Sequence, residues 1–192
     1  MKKKSLGSKF IGEWNTMTIV GIAIGAALFG VLMNYGGINI ATNTKLTTSM
    51  LVTVVVGALF GPVPAMLAAG LGNVIADLIG GWGLWFDWSV GNAVLGLFVG
   101  SLPLYGAEIK EGIFEVKHAI IYAVLCIVGN AFAFGVVTPI LSYLFYSSEL
   151  TITFIQSFAG GIANTSILVI AGIPVLKALA ARYARGSNLT KE

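Results

Sequence analysis

Long apolar segments separated by short polar ones make up most of the chain. A helix that crosses a bilayer needs about 20 mostly apolar residues. Segments near that length, with one shorter segment that ends at Gly61-Pro62-Val63-Pro64, predict six transmembrane helices in a single domain over residues 1–192. The predicted helices cover residues 16–34, 48–60, 64–80, 88–105, 118–145 and 152–181.

The last two predicted helices contain internal prolines. Residues 118–145 form a longer stretch than a bilayer requires, so this helix is expected to tilt or to bend at Pro139. Pro174 lies near the end of the following helix. A proline lacks the backbone N–H that continues a helix, and it clashes with the carbonyl group four residues earlier.

The composition supports an all-α integral membrane protein. The chain is 57% hydrophobic and 10% charged, with a mean hydropathy of +0.91. A soluble domain carries about 25% charged residues. Because so few charges cannot cover the surface of a soluble body of this size, composition excludes an ordinary soluble enzyme and favours a compact bundle in a membrane.

The basic residues predict how the chain is oriented. Six spans place both termini on the same side, and Lys45 is then the one basic residue of eleven on the opposite side. Basic residues concentrate on the cytoplasmic side of membrane proteins, so both termini are predicted to be cytoplasmic. The net charge of +3 is explained by this orientation and implies no nucleic-acid partner. The cytoplasmic set is Lys2, Lys3, Lys4, Lys9, Lys110, Lys117, Lys177, Arg182, Arg185 and Lys191.

Several kinds of chemistry lack their motifs in this sequence. No Gly-x-x-x-x-Gly-Lys-[Ser/Thr] loop is present, which excludes ATP hydrolysis by that route. The one histidine, His118, and the lack of a Gly-x-Ser-x-Gly elbow argue against a serine hydrolase. The one cysteine, Cys126, excludes an intramolecular disulfide, and no residues have metal-ligand spacing. We therefore expect a protein that is not an enzyme and holds no metal or cofactor.

Strongly polar residues inside the predicted spans share a position along the bundle. Under the predicted orientation they lie in the outer half of the membrane or at its midplane, which favours a cup that opens outward over a continuous pore. The alternative is that each amide bonds a neighbouring helix, a contact worth about 0.6 kcal/mol on average. These residues are Asn73, Asp77, Asn92, Asn130, Gln156 and Asn164.

The loop between the third and fourth predicted helices is rich in tryptophan. Trp82, Trp85 and Trp88 lie there with Asp87. One interpretation is an aromatic belt at the membrane surface, and the other is a stacking wall for a flat ring. The small, polar segment 36–45 is expected to act as a lid over such a site. The predicted ligand-binding residues are Asn39, Asn73, Asp77, Trp85, Trp88, Asn92, Asn130, Gln156 and Asn164.

Small residues recur at four-residue spacing in the first predicted helix. Gly21 and Gly25 form one pair, and Ala23 and Ala27 form another. Small residues four apart give a helix a smooth face on which a second helix packs closely. This face is expected either to pack inside the bundle or to dock another subunit.

Together these segments resemble the S component, the substrate-binding subunit, of an energy-coupling factor (ECF) vitamin transporter of the riboflavin or hydroxymethylpyrimidine type. The likeness extends from the first helix to the basic tail. It is carried by the first helix with its Ala23-x-x-x-Ala27 motif and by four later segments. These are Phe60-Gly61-Pro62, residues 130–139, Tyr146-Ser147, and Phe154-Ile155-Gln156 with Gly160-Gly161-Ile162-Ala163-Asn164.

The resemblance implies a mechanism and partners. An S component in the bacterial cytoplasmic membrane captures a scarce vitamin from outside with high affinity. It then associates with the transmembrane coupling subunit EcfT and two cytoplasmic ATPase subunits, and the Ala23-x-x-x-Ala27 motif resembles the surface that docks on the coupling subunit. The alternative is a stand-alone facilitator or channel that needs no ATPase. The aromatic wall and neutral amides favour a flat heteroaromatic vitamin, with hydroxymethylpyrimidine or pyridoxine ahead of riboflavin.

Overall fold

Residues 6–41 and 44–189 are described by the computed structural model. Lys2, Lys3, Lys4 and Lys191 of the predicted orientation, and Thr42 and Asn43 of the predicted lid, lie outside these ranges. The helices of the described ranges are α1 (Leu6–Ile11), α2 (Thr16–Tyr35), α3 (Ser49–Phe60), α4 (Pro62–Gly80), α5 (Phe86–Val99), α6 (Val116–Phe132), α7 (Thr138–Tyr146), α8 (Leu150–Ile167) and α9 (Ile173–Leu189). Two short 3₁₀ helices, Leu102–Tyr105 and Ile109–Glu111, join α5 to α6.

Local chemistry sets the ends of the membrane helices. The side chain of Asn15 accepts the backbone N–H of Thr18 at 2.9 Å and so caps the start of α2. Pro62 opens α4, where a missing N–H costs nothing. Gly81 ends the same helix in the left-handed region, with φ +66°, and its N–H bonds the carbonyl group of Asp77. The chain therefore leaves α4 in a tight turn into residues 81–85, the tryptophan loop, which carries Trp82 and Trp85, while Trp88 lies on α5.

Two π turns interrupt the long helical rods. Ala133–Val137 joins α6 to α7, and Leu168–Gly172 joins α8 to α9. Each ends two residues before a proline, Pro139 or Pro174, whose ring cannot fit a regular α-helical turn. The predicted irregularity in the fifth helix thus takes the form of a widened turn. The Leu168 carbonyl oxygen in the second rod accepts the buried Tyr122 hydroxyl of α6 at 3.2 Å.

The number of spans is only partly decided by helix length. Within the described residues, five helical stretches are long and apolar enough to cross a membrane, namely Thr16–Tyr35, Pro62–Gly80, Phe86–Tyr105, Val116–Tyr146 and Leu150–Gly186. Helix α3 forms where the sequence predicts it, but its 12 residues extend only about 18 Å, less than the roughly 30 Å hydrocarbon core of a bilayer. The count of six spans and the cytoplasmic location of both termini therefore stay predictions.

The all-α prediction misses a β-hairpin between α2 and α3. Strand β1 (Gly37–Ala41) pairs antiparallel with β2 (Thr44–Thr47), and Asn39 lies opposite Lys45. The segment is too short and too polar to show the alternation that predicts a strand. Helix α1 is also absent from the sequence-based prediction, because its six residues do not cover two helical turns.

Helices α2, α4 and α5 pack closely because small residues lie where they cross. A Cβ atom on Gly72 of α4 would lie 2.6 Å from the Cβ of Phe29 on α2. One on Gly96 of α5 would lie 2.7 Å from the carbonyl oxygen of Ala65 on α4. Phe29 and Leu95 are buried in the main core. Helix α4 is thus held between two neighbours at distances that only small residues permit.

Replacing Gly96 with alanine tests this close approach. We expect Gly96→Ala to lower the free energy of unfolding by about 1–3 kcal/mol, because the added methyl group meets backbone atoms that must shift. Thermal unfolding of the purified protein in detergent measures the effect. Gly135→Ala is the matched control, since a Cβ atom there would meet nothing within 4 Å. Equal stability of the two variants would contradict the packing described here.

Candidate functional site

A cavity of about 750 Å³ opens at the end of the bundle where α4 ends and α5 begins. The hairpin, the tryptophan loop and the face of α8 that carries Gln156, Gly160 and Asn164 surround it. Its volume lies in the upper part of the range of about 300–1,000 Å³ that is typical of small-molecule sites. The lining residues are Met33, Asn39, Lys45, Thr47, Met50, Asn73, Asp77, Trp82, Trp85, Trp88, Asn92, Phe134, Gln156, Gly160 and Asn164.

This one cavity brings together most of the predicted ligand-binding residues, although they come from separate parts of the sequence. Those that line it are Asn39, Asn73, Asp77, Trp85, Trp88, Asn92, Gln156 and Asn164. Asn130 does not line it. The Asn130 side chain is buried and turns back along its own helix, where Nδ2 donates to the carbonyl oxygen of Cys126 at 2.8 Å. Depth in the membrane predicted its position, but depth does not decide which face of α6 it occupies.

Sequence analysis did not predict all of the lining residues. Lys45 and Trp82 gave a signal, since Lys45 is the one predicted outer cation and Trp82 belongs to the tryptophan loop. Met33, Met50 and Phe134 gave none, because single apolar residues do not stand out in a chain that is 57% hydrophobic. Thr47 and Gly160 are likewise ordinary residues in a small-residue-rich chain.

Asn73 of α4 is the centre of a buried polar network. Its Nδ2 donates to the Ser89 hydroxyl at 3.1 Å and to the Asp77 carboxylate at 3.4 Å. Its Oδ1 accepts Nδ2 of Asn92 on α5 at 2.9 Å. Both amide hydrogens of Asn73 are thus used within the protein. The network joins the two helices that form one wall of the cavity.

Asp77 lies on the same face of α4, one turn beyond Asn73, and is 5% exposed. Its Oδ2 accepts the backbone N–H of Trp85 at 3.0 Å. Because Gly81 reverses the chain after α4, the tryptophan loop folds back against the Asp77 carboxylate of α4. Asp77 therefore connects the amide network to the aromatic loop.

Aromatic rings form the second part of the cavity wall. The Trp88 ring lies 5.6 Å from the Phe134 ring, and the Trp85 ring lies 5.0 Å from the Tyr146 ring at 47°. The Tyr146 hydroxyl donates to the Leu84 carbonyl oxygen at 3.1 Å and accepts the Phe86 N–H at 2.8 Å. These contacts hold the tryptophan loop against the end of α7.

The hairpin and α8 complete the cavity. Lys45 on β2 places its Nζ 4.7 Å from the centre of the Trp82 ring, within the range of a cation–π contact. On α8, Gln156 and the 8%-exposed Asn164 line the cavity. Neither amide forms a hydrogen bond with residues 6–41 or 44–189. Both remain able to donate to and accept from a bound molecule.

The small residues of α2 divide between two faces. Gly21 and Gly25 pack inside the bundle, where a Cβ atom would lie 2.5 Å from the Phe60 ring and 2.8 Å from Val56, respectively. Gly25 is buried and is not available to a docking subunit. Ala23 and Ala27 are exposed on the opposite face. The packing interpretation therefore applies to Gly21 and Gly25, whereas docking through Ala23 and Ala27 stays a prediction.

Asn73→Ala tests the importance of the network. We expect the free energy of unfolding to fall by about 1–3 kcal/mol, because Asn92 loses a buried hydrogen-bond partner that water cannot replace. Thermal unfolding in detergent again provides the measurement. Asn39→Ala makes the same change at an exposed position that forms no side-chain hydrogen bond with the described residues. An Asn73→Ala variant as stable as Asn39→Ala would contradict this role.

Known proteins are similar to this chain in sequence. The family model described as "ECF-type riboflavin transporter, S component" matches residues 13–181. A UPF0397 protein of Aliivibrio fischeri (strain MJ11) is 34% identical over 176 residues, which cover 91% of this chain and 96% of the relative. A UPF0397 protein of Streptococcus pneumoniae (strain Hungary19A-6) is 33% identical over 177 residues, covering 91% and 95%.

A solved structure supports the same fold. The crystal structure of FolT bound with folic acid matches 88% of this chain and 96% of its own, with a TM-score of 0.56 and 16% identity. At that identity the likeness concerns the fold alone. The family match confirms the resemblance inferred from the sequence and the location in a cell membrane. The chain belongs to the S components of ECF-type riboflavin transporters, a family of substrate-binding membrane proteins that are not enzymes.

Proposed function

We propose that this chain captures a flat heteroaromatic vitamin in the cavity between the tryptophan loop and α8. The observation that carries the proposal is that Trp85, Trp88, Asn92 and Asn164 line the same cavity. Aromatic faces stack on a flat ring, while a few fixed polar groups set its orientation. We therefore expect the affinity to depend on both walls.

The cavity bears on the size of the ligand. Hydroxymethylpyrimidine and pyridoxine have one ring each, and both leave much of 750 Å³ to water or to the closing hairpin. Riboflavin, with three fused rings, fills more of the space. The volume therefore supports riboflavin as a candidate beside the two single-ring vitamins that the sequence favours. All three belong in the same binding panel.

The positions of the charges support entry from outside. Lys45 lies at the cavity, whereas Lys9 and Lys110 line a second cavity of about 470 Å³ at the opposite end of the bundle. Basic residues concentrate on the cytoplasmic side of membrane proteins. We infer that the 750 Å³ cavity opens to the exterior and that the chain delivers its ligand inward by association with EcfT and two cytoplasmic ATPase subunits.

Calorimetric titration of the purified chain with hydroxymethylpyrimidine, pyridoxine and riboflavin tests the binding proposal. We expect Trp85→Ala to weaken binding of the preferred vitamin about tenfold, because it removes a stacking partner. Asn164→Ala is expected to weaken binding about threefold to tenfold through a lost hydrogen bond. Trp14→Ala is the control, since Trp14 is 53% exposed and does not line the cavity.

Unchanged affinity in both cavity variants would contradict the proposed site. Reconstituted vesicles separate the importer from a stand-alone facilitator. We expect no net vitamin uptake by vesicles that contain this chain alone, and uptake with ATP once the coupling and ATPase subunits are added. Uptake by the chain alone would favour the facilitator.

The exposed pair Ala23 and Ala27 is proposed as the docking surface for the coupling subunit. Ala27→Leu is expected to reduce copurification of the coupling and ATPase subunits at least tenfold, because a larger side chain keeps a partner helix away from α2. Vitamin affinity of the isolated variant is expected to stay unchanged. Ala131→Leu, an equal change at an exposed position of α6, is the control. Normal copurification of Ala27→Leu would place the docking surface elsewhere.

A further inference from the structure

We propose that the wall formed by α4 and α5 selects ligands by their hydrogen-bond donors, and that the ligand is an amino-substituted or protonated nitrogen heterocycle. This inference rests on the proposed function, because it assumes that the 750 Å³ cavity is the vitamin site. It adds which hydrogen-bonding groups, donors or acceptors, the ligand presents to one wall of the cavity.

The Asn92 side chain can offer a ligand only an acceptor. Its Nδ2 donates to Oδ1 of Asn73 at 2.9 Å and to the carbonyl oxygen of Trp88 at 3.1 Å. Those two bonds use both amide hydrogens and fix which end of the amide is oxygen. Its Oδ1 has no hydrogen-bond partner among the described residues, and the residue is 1% exposed. A buried, unpaired carbonyl oxygen on a cavity wall is a position where a ligand N–H gains a bond that water does not supply.

Asp77 contributes a second acceptor to the same wall. Its Oδ2 accepts the Trp85 N–H and Nδ2 of Asn73, and its other oxygen has no hydrogen-bond partner among the described residues. No described cation forms an ion pair with it, and the nearby Lys45 places its Nζ over the Trp82 ring. A buried carboxylate without a cation is costly, so a ligand with an N–H or N⁺–H group would stabilise it.

The side-chain amide and hydroxyl donors of Asn73, Asn92 and Ser89 are already used within the protein. Asn73 spends both amide hydrogens on Ser89 and Asp77, and the Ser89 hydroxyl donates to the Trp85 carbonyl oxygen at 3.2 Å. The opposite side differs, because the amides of Gln156 and Asn164 on α8 can both donate and accept. Selection by polarity therefore arises on the α4–α5 wall, and α8 accommodates what the ligand presents there.

This arrangement separates two kinds of heteroaromatic ring. An exocyclic amino group or a protonated ring nitrogen directs N–H bonds at Asp77 and Asn92. An imide edge, such as that of a flavin, has one N–H between two carbonyl oxygens, so it places acceptors against acceptors. Burying such a mismatch leaves acceptors without hydrogen-bond partners and weakens binding. The geometry therefore favours the amino-substituted ring over the imide.

A matched pair of ligands tests the inference on the unaltered protein. The probes are 4-amino-5-hydroxymethyl-2-methylpyrimidine and its 4-oxo counterpart. The second has nearly the same shape, but it has a carbonyl acceptor in place of the amino donor and a ring N–H in place of a ring-nitrogen acceptor. Titration calorimetry of the purified chain is expected to give at least tenfold tighter binding of the amino compound. Riboflavin, measured beside them, is expected to bind more weakly than the amino compound.

Two variants assign the preference to Asp77. In Asp77→Asn, an amide N–H replaces one acceptor, so the ratio of the two affinities is expected to fall to threefold or less. Asp87→Asn makes the same change at a buried carboxylate that does not line the cavity and that accepts the Ser142 hydroxyl. We expect it to keep the wild-type ratio. If Asp77→Asn does not fold, the ligand pair on the wild-type chain still decides the question.

The outcomes distinguish this inference from the proposed function. Binding of the 4-oxo compound or of riboflavin as tightly as the amino compound would overturn the inference and leave the proposed vitamin site in place. An unchanged preference in a folded Asp77→Asn variant would overturn the role of Asp77. Failure of the folded wild-type chain to bind the pyrimidines, pyridoxine or riboflavin would contradict the proposed function itself.

Discussion

The close crossing of α4 and α5 is the constraint on which the cavity depends. Gly96 permits the two backbones to approach at one end of the contact, and the bond between Asn73 and Asn92 joins them nearer the cavity. In a lipid-embedded bundle, a buried amide has no water to bond, so each must find a partner in the protein or in a ligand. The packing of the two helices and the hydrogen bonding of their polar side chains therefore depend on each other. The polar groups that have no partner within the protein define the site.

Much of this arrangement follows from the sequence by physical argument. Apolar length predicts the long helices, and Pro139 predicts where one of them departs from regular geometry. Depth along a helix is also predictable, because each residue adds about 1.5 Å. That is why eight widely separated residues, chosen largely for depth and polarity, line one cavity. Angular position around a helix is harder to predict when nearly every face is apolar. Asn130 shows this, since its depth suits the cavity but its face does not.

The sequence also left features open that depend on tertiary contacts. The hairpin is short, and its sequence lacks the alternation that would predict the pairing of Asn39 with Lys45. The faces of Gly21 and Ala23 could not be separated by spacing, because both pairs follow the same four-residue interval. Only the positions of Phe60 and Val56 show which pair points inward. Membership of the family and the fold agree with the pattern as a whole, whereas ligand chemistry depends on individual side chains.

The two hydrogen bonds of the Tyr146 hydroxyl have a mechanical consequence. One hydroxyl group donates to the carbonyl oxygen of Leu84 and accepts the N–H of Phe86, so it bonds the backbone on both sides of Trp85. The position of Trp85 is therefore fixed between the end of α7 and the start of α5. Any displacement of α7 relative to α5 would therefore be passed to this indole, which lines the cavity.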